Sequence, residues 1–407
     1  MRTIGRATAL MIAAVQFVFL AVSLYQSAIT LLGRRGAAPV FRPALDSPLR
    51  FALVVCARNE ASVIGGLVTG LVTQEYPRER IEVIVVAHNC DDATATVAAR
   101  AGARVVELTT EASGKALAMA AGLEAVGEHI DYVGIFDADS RVPATLVATV
   151  AAACPGSDCV QVETVPHETA DWLATGYGFG RRARNLFWWR PREVLGLGTT
   201  MSGSGYFIRP PLLRQLLAQA HTLTEDLELT ARLYAGGGRV RYVSSTYVQV
   251  EEAHSLAASV KQRLRWARGH ITVIHDAWPS LLRQSARGDL RAFDIAIYLV
   301  MPTRVLTRTA VTGSLAWALI RAPGALPLFP VLLGFAGEWV LPSVIALRER
   351  LVPANMRGVN LAMRHSVLNL LWFPIGLWGL ISARAVAWDP VPRTGSPENE
   401  GSLAQRN

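Results

Sequence analysis

The chain has 407 residues, 51% of them hydrophobic and 18% charged, which is enough for one domain of ordinary size plus several membrane segments and argues against a simple soluble enzyme. The formal net charge is +8, and of the 40 basic residues all except Lys115 and Lys261 are arginines. The arginines are spread along the chain beside apolar runs and form no basic block with interleaved aromatic residues, which argues against a nucleic-acid partner and favours anionic lipid or phosphate.

The first predicted element is a membrane-spanning helix in residues 1–35. An apolar run from about Ala7 to Leu32 is long enough, at about 1.5 Å per residue, to cross a hydrocarbon core of about 30 Å. The run is longer than the apolar part of a signal peptide and lacks a small-residue cleavage site, which indicates a signal anchor. Arg34, Arg35 and Arg42 follow it, and they favour a cytoplasmic position for the next domain.

We predict a cytoplasmic α/β domain in residues 48–290, because strand-like and helix-like runs alternate through the first half of this range. The predicted strands are Phe51–Cys56, Ile81–Ala87, Arg104–Leu108, Tyr132–Phe136 and Cys159–Val165, with helices near Ala61–Thr73, Ala93–Ala101, Lys115–Ala125 and Pro143–Ala153. This alternation is typical of a parallel, Rossmann-like sheet covered on both faces. Ligands bind such sheets at the carboxyl ends of the strands.

Polar residues follow three of the predicted strands: Arg58-Asn59-Glu60, His88-Asn89-Cys90-Asp91-Asp92 and Asp137-Ala138-Asp139. Asp137 and Asp139 lie on one side of the chain and could hold a hard divalent cation that also contacts substrate phosphates; capping acids in a turn are the alternative. Lys115 stands at a predicted helix start and could meet a diphosphate beside the helix amides. Its alternative is a solvated surface lysine.

Two later motifs pair an acid with a cationic, aromatic cluster: Thr224-Glu225-Asp226 and Gln262-Arg263-Leu264-Arg265-Trp266. A carboxylate can take a proton from a sugar hydroxyl, an arginine can hold a departing diphosphate, and an indole can stack on a sugar ring. Structural alternatives stay open for both motifs. The first is also what a helix start prefers, with a hydroxyl cap and acids in the first turn. The second lies on a basic amphipathic stretch that could rest on a membrane surface.

Residues 291–388 predict three further membrane helices, near Val300–Ile320, Pro327–Leu347 and Leu361–Trp388. A cluster of arginines places the loop between the last two in the cytoplasm: Arg348, Arg350, Arg357 and Arg364. Arg308 and Glu338 lie inside predicted spans, where ionisable groups are costly, and we favour a buried pair over a polar transport cavity. The tail, residues 389–407, is rich in Pro, Ser, Glu and Gly and is predicted to be disordered.

In this order and on this α/β pattern, the motifs resemble the membrane-embedded inverting glycosyltransferases of family 2, the group with cellulose, chitin, hyaluronan and poly-N-acetylglucosamine synthases. The resemblance covers roughly Arg50 to His270. Its most specific parts are the Thr-Glu-Asp element and Gln-x-x-Arg-Trp, present here as Gln262, Arg265 and Trp266. It implies a GT-A-type domain inserted between one N-terminal and about three C-terminal transmembrane helices, at the inner (plasma) membrane.

The resemblance also implies roles for individual residues. Asp226 would be the catalytic base with Glu225 beside it, and Asp139, with Asp137, would hold Mg²⁺ or Mn²⁺. The remaining positions fall into a donor group and an acceptor group: Arg58, Glu60, His88, Asp92, Lys115, Asp137 and Arg265 for the nucleotide sugar, and Gly203, Ser204, Gln262 and Trp266 for the acceptor. His88 stands where the family usually has an Asp that contacts uracil, so the expected UDP-sugar donor is less certain.

The implied reaction is transfer of a sugar to a growing polysaccharide or oligosaccharide. The segment Trp172–Arg192 is predicted to form an interfacial helix beneath the path of such a polymer. One alternative is transfer of a single sugar to a membrane lipid, as in ceramide glucosyltransferases, and another is a non-catalytic nucleotide-binding transport or scaffold protein. The four cysteines, Cys56, Cys90, Cys154 and Cys159, show no metal-type spacing, which fits a reducing compartment.

Overall fold

The computed structural model describes residues 2–112, 114–169, 171–300, 304–320 and 328–349, and parts of 360–382 (360–361, 364–365, 367–368 and 372–382). Within this part of the chain, seven strands form one sheet: β1 Phe51–Ala57, β2 Ile81–His88, β3 Arg104–Leu108, β4 Tyr132–Asp137, β5 Cys159–Pro166, β6 Tyr206–Ile208 and β7 Val240–Val250. Their spatial order is β3-β2-β1-β4-β6-β5-β7. The five predicted strands are confirmed, each ending within one residue of its predicted position.

The expectation of a purely parallel sheet is wrong, because β6 runs antiparallel to both of its neighbours, β4 and β5. The other neighbouring strands pair in parallel. Strand β6 has only three residues, so it carries too little periodicity to be recognised from sequence. Its insertion separates β4 from β5 and brings the loop that precedes β6 to the carboxyl end of β4.

The helices that belong to the sheet domain lie on both of its faces: α2 Ile64–Val72, α3 Thr94–Arg100, α4 Lys115–Glu124, α5 Leu146–Ala153, α8 Pro210–Leu217, α9 Glu225–Ala235, α10 Leu256–Ala286 and α11 Leu290–Val300. One core contains α2 and α5, and the other contains α4, α8, α9, α10 and α11. Alternate residues of β1 enter the two cores, with Phe51 in the first and Ala52 in the second, and both are fully buried. Burial on both faces explains why this strand reads as an uninterrupted apolar run.

The remaining helices flank this domain in sequence or pack beside it: α1 Arg2–Gly33, α6 Trp172–Arg184, α7 Arg190–Val194, α12 Arg304–Ile320, α13 Leu328–Phe335, α14 Leu341–Arg348 and α15 Trp372–Ile381. Single turns of π-helix at Asn185–Trp189 and Ala336–Val340 join α6 to α7 and α13 to α14. Each joined pair therefore continues as one long helix.

Two helices in the described part of the chain have the length and apolar composition needed to cross a membrane, Gln16–Gly33 and Phe329–Arg348. The predicted count of one N-terminal and three C-terminal spans is therefore not confirmed. Within the described residues, helix α12 covers 17 residues and α15 covers 10. The end of the last predicted span and the tail 389–407 lie outside the described residues. Arg34 and Glu349 form an ion pair, so α1 and α14 end side by side.

The predicted interfacial helix at Trp172–Arg192 corresponds to α6, the π-turn and α7, but the aromatic residues of the π-turn face protein, whereas Trp172 at the start of α6 is exposed. Phe187, Trp188 and Trp189 are all buried. Leu186 and Phe187 pack against α14, and α7 contacts α1. The segment therefore lies between the sheet domain and the two candidate membrane helices.

Within the candidate spans, Glu338 is buried and its Oε2 lies 3.7 Å from Arg308 Nε. Ser23 of α1 donates a hydrogen bond of 2.9 Å to Glu338 Oε1. The favoured prediction of a buried pair is thus confirmed, with a third helix supplying a donor.

A fully buried ion pair connects α7, α11 and α1. Arg192 Nε lies 2.7 Å from Asp294 Oδ2, and Arg192 Nη2 lies 2.9 Å from Asp294 Oδ1. Two side chains of α1 complete the network: Gln26 Oε1 accepts a bond of 2.9 Å from Arg192, and Tyr25 donates one of 2.9 Å to Asp294. Because every partner is hydrogen-bonded, the charges are compensated, and the network fixes α1 against the sheet domain.

We predict that Asp294→Ala destabilises the protein by about 3–5 kcal/mol, because it leaves the Arg192 guanidinium buried without its carboxylate. The melting temperature of the purified full chain, followed by tryptophan fluorescence, measures the change. Glu82→Ala is the matched control, since it breaks an exposed pair with Arg104 that is expected to contribute about 0–1 kcal/mol. Equal shifts in the two variants would contradict the assignment.

Candidate active site

The candidate site centres on the ammonium group of Lys115, the first residue of α4. Its Nζ lies 2.6 Å from Oδ1 of Asp137, the last residue of β4, and 3.7 Å from Oε1 of Glu225, the first residue of α9. The same ammonium donates a hydrogen bond to the carbonyl of Gly203. One lysine therefore joins a strand end, two helix starts and the loop before β6.

Glu225 and Asp226 occupy the first turn of α9, as predicted, but the predicted hydroxyl cap is absent. The Thr224 hydroxyl is buried and makes no hydrogen bond with the described residues. Asp226 Oδ1 instead accepts a bond of 2.8 Å from the Leu227 amide. Glu228 holds the loop before the helix, because its Oε2 accepts hydrogen bonds from the backbone amides of His221 and Thr222.

Burial dominates the electrostatics of the two acids at the start of α9. It raises the pKa of Asp226 and of Glu225 above their usual values, and Lys115 and Arg265 oppose the increase. Burial also disfavours the charge on Lys115, but Asp137 and Glu225 outweigh it and hold the pKa of the ammonium above its usual range. A carboxylate with a raised pKa is a stronger base, which suits proton abstraction.

The loop at Met201–Gly205 brings Gly203 close to these groups. Gly203 has a φ of +61°, and a Cβ at that position would lie 3.3 Å from Asp137 Oδ2, 3.7 Å from Asp226 Oδ2 and 3.9 Å from Lys115 Nζ. Any side chain there would enter the space that the three groups border. Glycine is thus required both for its left-handed backbone and for the room it leaves.

Ser204, predicted to contact the acceptor, has a buried hydroxyl that supports Asp137. Its Oγ accepts a bond of 3.2 Å from the Asp137 amide and lies 2.7 Å from Ser140 Oγ. Sequence reasoning missed a second support, Gln161, which is fully buried in β5. Gln161 Oε1 accepts a bond of 2.9 Å from the Ser202 amide, and its Nε2 donates one of 3.1 Å to the Ser204 carbonyl. A glutamine inside an apolar strand is the signal that could have identified it.

Helix α10 brings the second motif close to the first. A Cβ on Gly269 would lie 2.5 Å from Thr224 Oγ1, so only glycine lets α10 approach the start of α9 this closely. Arg265, one turn earlier, is near enough to Glu225 and Asp226 to lower the pKa of both. The Nε of Arg265 is shielded from solvent and has no hydrogen-bond partner among the described residues. A buried donor of this kind suits an anionic ligand.

The rest of the second motif faces α6. Gln262 and Trp266 are partly buried on α10. The guanidinium of Arg263 lies 3.8 Å from the ring centre of Tyr177 and 6.0 Å from that of Trp266. The expected surface helix is therefore largely enclosed, since α10 packs against α9, α11 and α15.

The predicted donor-base residues lie together at the ends of β1 and β2. His88 is buried, and its Nε2 is 3.3 Å from the Ala112 carbonyl. Burial lowers the pKa of His88, and the charge of Arg58 adds to that effect, which favours the neutral imidazole. Asp92 accepts bonds from the amides of Thr94 and Ala61, at 2.9 and 3.1 Å, so it also fixes the loop after β1. Glu60 is held there too, because its amide donates to the Thr94 hydroxyl.

The predicted metal ligands are suited to a cation shared with a substrate. No group of three or more His, Cys, Asp or Glu side chains that could hold a metal occurs in the described part of the chain. The side chain of Asp137 is 40% exposed and lies beside Gly203, and Asp139 is partly buried two residues later. Mg²⁺ and similar ions commonly use one or two carboxylates together with substrate phosphates and water. These two acids fit that pattern.

Comparison with known proteins identifies relatives of the fold and of the family. A mannosyltransferase from Pyrobaculum calidifontis, solved in complex with GDP-Man and Mn²⁺, superposes with a TM-score of 0.54 at 19% identity, covering 91% of this chain and 98% of that one. Two beta-monoglucosyldiacylglycerol synthases are also similar. The one from Synechocystis sp. is 30% identical over 70% of this chain and 60% of its own length, and the one from Trichormus variabilis is 26% identical over 66% and 58%.

The chain thus matches about 60% of the length of these curated relatives. The mannosyltransferase supports the GT-A-like α/β fold. Residues 48–269 match the model of the family described as glycosyltransferase like family 2, and this range holds every predicted site residue. Because the match covers more than half of the chain, the protein belongs to glycosyltransferase family 2.

Proposed function

We propose that this protein is an inverting glycosyltransferase that moves one sugar from a nucleotide-sugar donor to a membrane lipid. The observation that carries the proposal is the convergence of Asp226, Asp137 and Lys115 around Gly203. A base, an acid suited to a cation and an ammonium suited to phosphate thus lie around one backbone position. A protein that only binds nucleotide would have no need of the buried base.

The proposed reaction is a single displacement at the anomeric carbon of the donor sugar. Asp226 removes the proton from the acceptor hydroxyl as that oxygen attacks and the bond to the diphosphate breaks, which inverts the configuration. General base catalysis of this kind contributes about 10²–10⁴-fold. Lys115 and the unpaired Nε of Arg265 are placed to stabilise the negative charge on the leaving diphosphate.

Asp139 and Asp137 would hold a divalent cation, Mg²⁺ or Mn²⁺. When bound, the cation supplies positive charge to the diphosphate oxygens.

At the donor base, neutral His88 can make one hydrogen bond to uracil, so a UDP-sugar stays the expected donor. Arg58 and Glu60 lie near His88 at the ends of β1 and β2, and the hydrogen bonds of Asp92 hold the loop there.

The names of the relatives support a lipid acceptor over the polysaccharide expected from sequence. Both synthases compared above carry a diacylglycerol product in their names. A polymer acceptor remains the second candidate, because Trp266 and Gln262 match a motif that is shared with polysaccharide synthases.

The proposed location is the inner (plasma) membrane, with a multi-pass chain and a cytoplasmic sheet domain. The candidate spans α1 and α13–α14 support membrane association. Their adjacent ends carry Arg34, Arg35 and Arg348, and a cluster of arginines favours the cytoplasmic side.

We predict that Asp226→Asn lowers kcat by at least about 10²-fold, because the amide cannot accept the acceptor proton. Turnover is followed with a radiolabelled nucleotide sugar, and binding of UDP is measured by calorimetry. UDP affinity is expected to stay within about threefold of the unmodified protein, since Asp226 acts on the acceptor. Asp158→Asn is the control, an exposed acid at the opposite end of β5. Unchanged turnover in Asp226→Asn would remove Asp226 as the base.

Metal binding is tested by Asp139→Asn. We expect the affinity for Mn²⁺ in the presence of UDP, measured by electron paramagnetic resonance, to fall by roughly tenfold or more, because a carboxylate ligand is lost. Asp158→Asn again serves as the control and is expected to bind Mn²⁺ normally. A variant that retains the original Mn²⁺ affinity would exclude Asp139 as a ligand.

The acceptor is tested by incubating purified protein with labelled UDP-sugars in detergent micelles, with either diacylglycerol or a soluble oligosaccharide. We expect one lipid-soluble product that carries a single sugar. Its formation should require diacylglycerol and should be absent with Asp226→Asn. A ladder of products would instead support a polysaccharide synthase, and no transfer from any donor would favour a non-catalytic role.

A further inference from the structure

Helix α11 has an apolar face that is exposed to its surroundings. Four residues, three or four positions apart, share this side of the helix, which we call the outer face: Leu290, Phe293, Ile297 and Val300. Leu290 is 69% exposed, Phe293 is 43% exposed and Val300 is 41% exposed, while Ile297 is partly buried. Single exposed apolar residues are common on protein surfaces, but a continuous apolar helix face marks an interaction surface.

The opposite side of α11 belongs to the core of the sheet domain. Four apolar side chains are buried there, where the helix packs against α9 and α10: Ala292, Ile295, Ala296 and Leu299. Helix α11 is therefore apolar on two sides. A helix of this kind is stable when both sides meet an apolar environment, and the core supplies only one of them.

The helix that contains the N-terminal candidate span runs beside the outer face. The ring of Tyr25 on α1 meets the ring of Phe293 edge-on, with centres 6.3 Å apart, and the Tyr25 hydroxyl donates a bond of 2.9 Å to Asp294. About two turns earlier on α1, Phe17 and Val18 are 68% and 59% exposed, as expected for side chains that face lipid. Tyrosine is common where a span meets the bilayer surface, which places the outer face near that level.

The chain also leads from α11 to helices that pack on the candidate spans. Helix α12 begins at Arg304, shortly after α11 ends at Val300, and it packs against α1 and α13. A connection this short keeps the end of α11 close to those helices. The outer face is thus continuous with the part of the molecule that is proposed to contact lipid.

Basic residues gather at the start of α11. Arg283 and Arg287 are exposed, and Arg291 is partly buried beside Asp289, with 3.4 Å between Arg291 Nε and Asp289 Oδ1. Arginines next to an apolar helix face are typical of a helix that lies in the surface of an anionic bilayer. The charge therefore indicates anionic headgroups beside the apolar surface.

We propose that the outer face of α11 lies in the surface of an anionic lipid bilayer, with its apolar side chains at the acyl-chain boundary and the arginines among the headgroups. The proposal rests on the membrane location proposed above. It gives α11 a part in positioning the sheet domain, because α10 is hydrogen-bonded to it. Trp278 Nε1 donates a bond of 3.1 Å to the Ala296 carbonyl, and His270 Nε2 donates one of 2.6 Å to the Leu299 carbonyl. Helix α10 carries Arg265, so the depth of α11 sets the distance between the second motif and the bilayer.

The test uses the purified full chain in liposomes of phosphatidylglycerol and phosphatidylcholine, with a nitrobenzoxadiazole label on one introduced cysteine, Leu290→Cys or Phe293→Cys. We expect lipids that carry a nitroxide on the acyl chain to lower the emission of both labels at least about twofold, because the outer face reaches the acyl chains. Thr69→Cys is the matched control, since it is exposed on α2, which packs on the other core, and its emission should not change. The unmodified protein, treated in the same way, gives the background from the four natural cysteines.

A charged substitution tests the outer face without a label at the altered position. With the label on Val300→Cys, Leu290→Glu should reduce the quenching by nitroxide lipids at least about twofold, because a carboxylate opposes insertion into an anionic surface. Leu290 is largely exposed, so the substitution leaves the core intact. Leu45→Glu is the control, since it places the same charge on an exposed leucine before β1 and should leave the quenching unchanged.

A label on Phe17→Cys in α1 separates the docking of α11 from the membrane location. Quenching at Phe17 without quenching at Leu290 and Phe293 would overturn the docking of α11 and leave the location intact, and no quenching at any of the three would overturn both. Labels on α11 that are shielded from water but not quenched by lipid would identify a protein partner, such as a second copy, and would overturn the proposal. Equal quenching in liposomes of phosphatidylcholine alone would overturn the role of anionic headgroups.

Discussion

The ammonium of Lys115 is the interaction on which the candidate site depends. Asp137, Glu225 and Asp226 come from two elements and lie close together, and burial together with repulsion from the neighbouring acids disfavours the charged forms of Glu225 and Asp226. A compact ammonium with three donors can meet Asp137, Glu225 and the Gly203 carbonyl at once, which a planar guanidinium does less well. This explains a lysine here in a chain that otherwise uses arginine almost throughout. A bound diphosphate would compete for the same ammonium, which links donor binding to the charge state of the acids.

The sequence predicts those parts of the molecule that depend on local patterns. The five predicted strands and the residues that follow them are short-range features, and they lie where expected. The pairing of strand β6 depends on contacts between distant segments, so no local pattern reveals it. A glutamine in an apolar strand marks Gln161 as unusual, but its partners in the loop before β6 come from a distant segment. The hydroxyl cap at Thr224 fails for a similar reason, because the close approach of Gly269 on α10 encloses that side chain. A preference for caps gives way when tertiary packing occupies the same space.

The position of Arg265 depends in part on α1, which was predicted as a membrane anchor. Helix α10 carries Arg265 and packs against α11, and α11 carries Asp294. The buried network then ties Asp294 to Arg192 on α7 and to Tyr25 and Gln26 on α1. The N-terminal helix is therefore part of the framework that holds the second motif near the first. Removing α1 would expose a buried ion pair, and would do more than release the domain from a membrane.

The same framework favours an acceptor that arrives from the membrane. Arg263 of the second motif lies against Tyr177 of α6, and α6 continues through the π-turn to pack on α14. The second motif and a candidate span thus both contact the long helix that contains α6. A lipid needs no channel, because only its headgroup has to leave the membrane surface to reach Asp226.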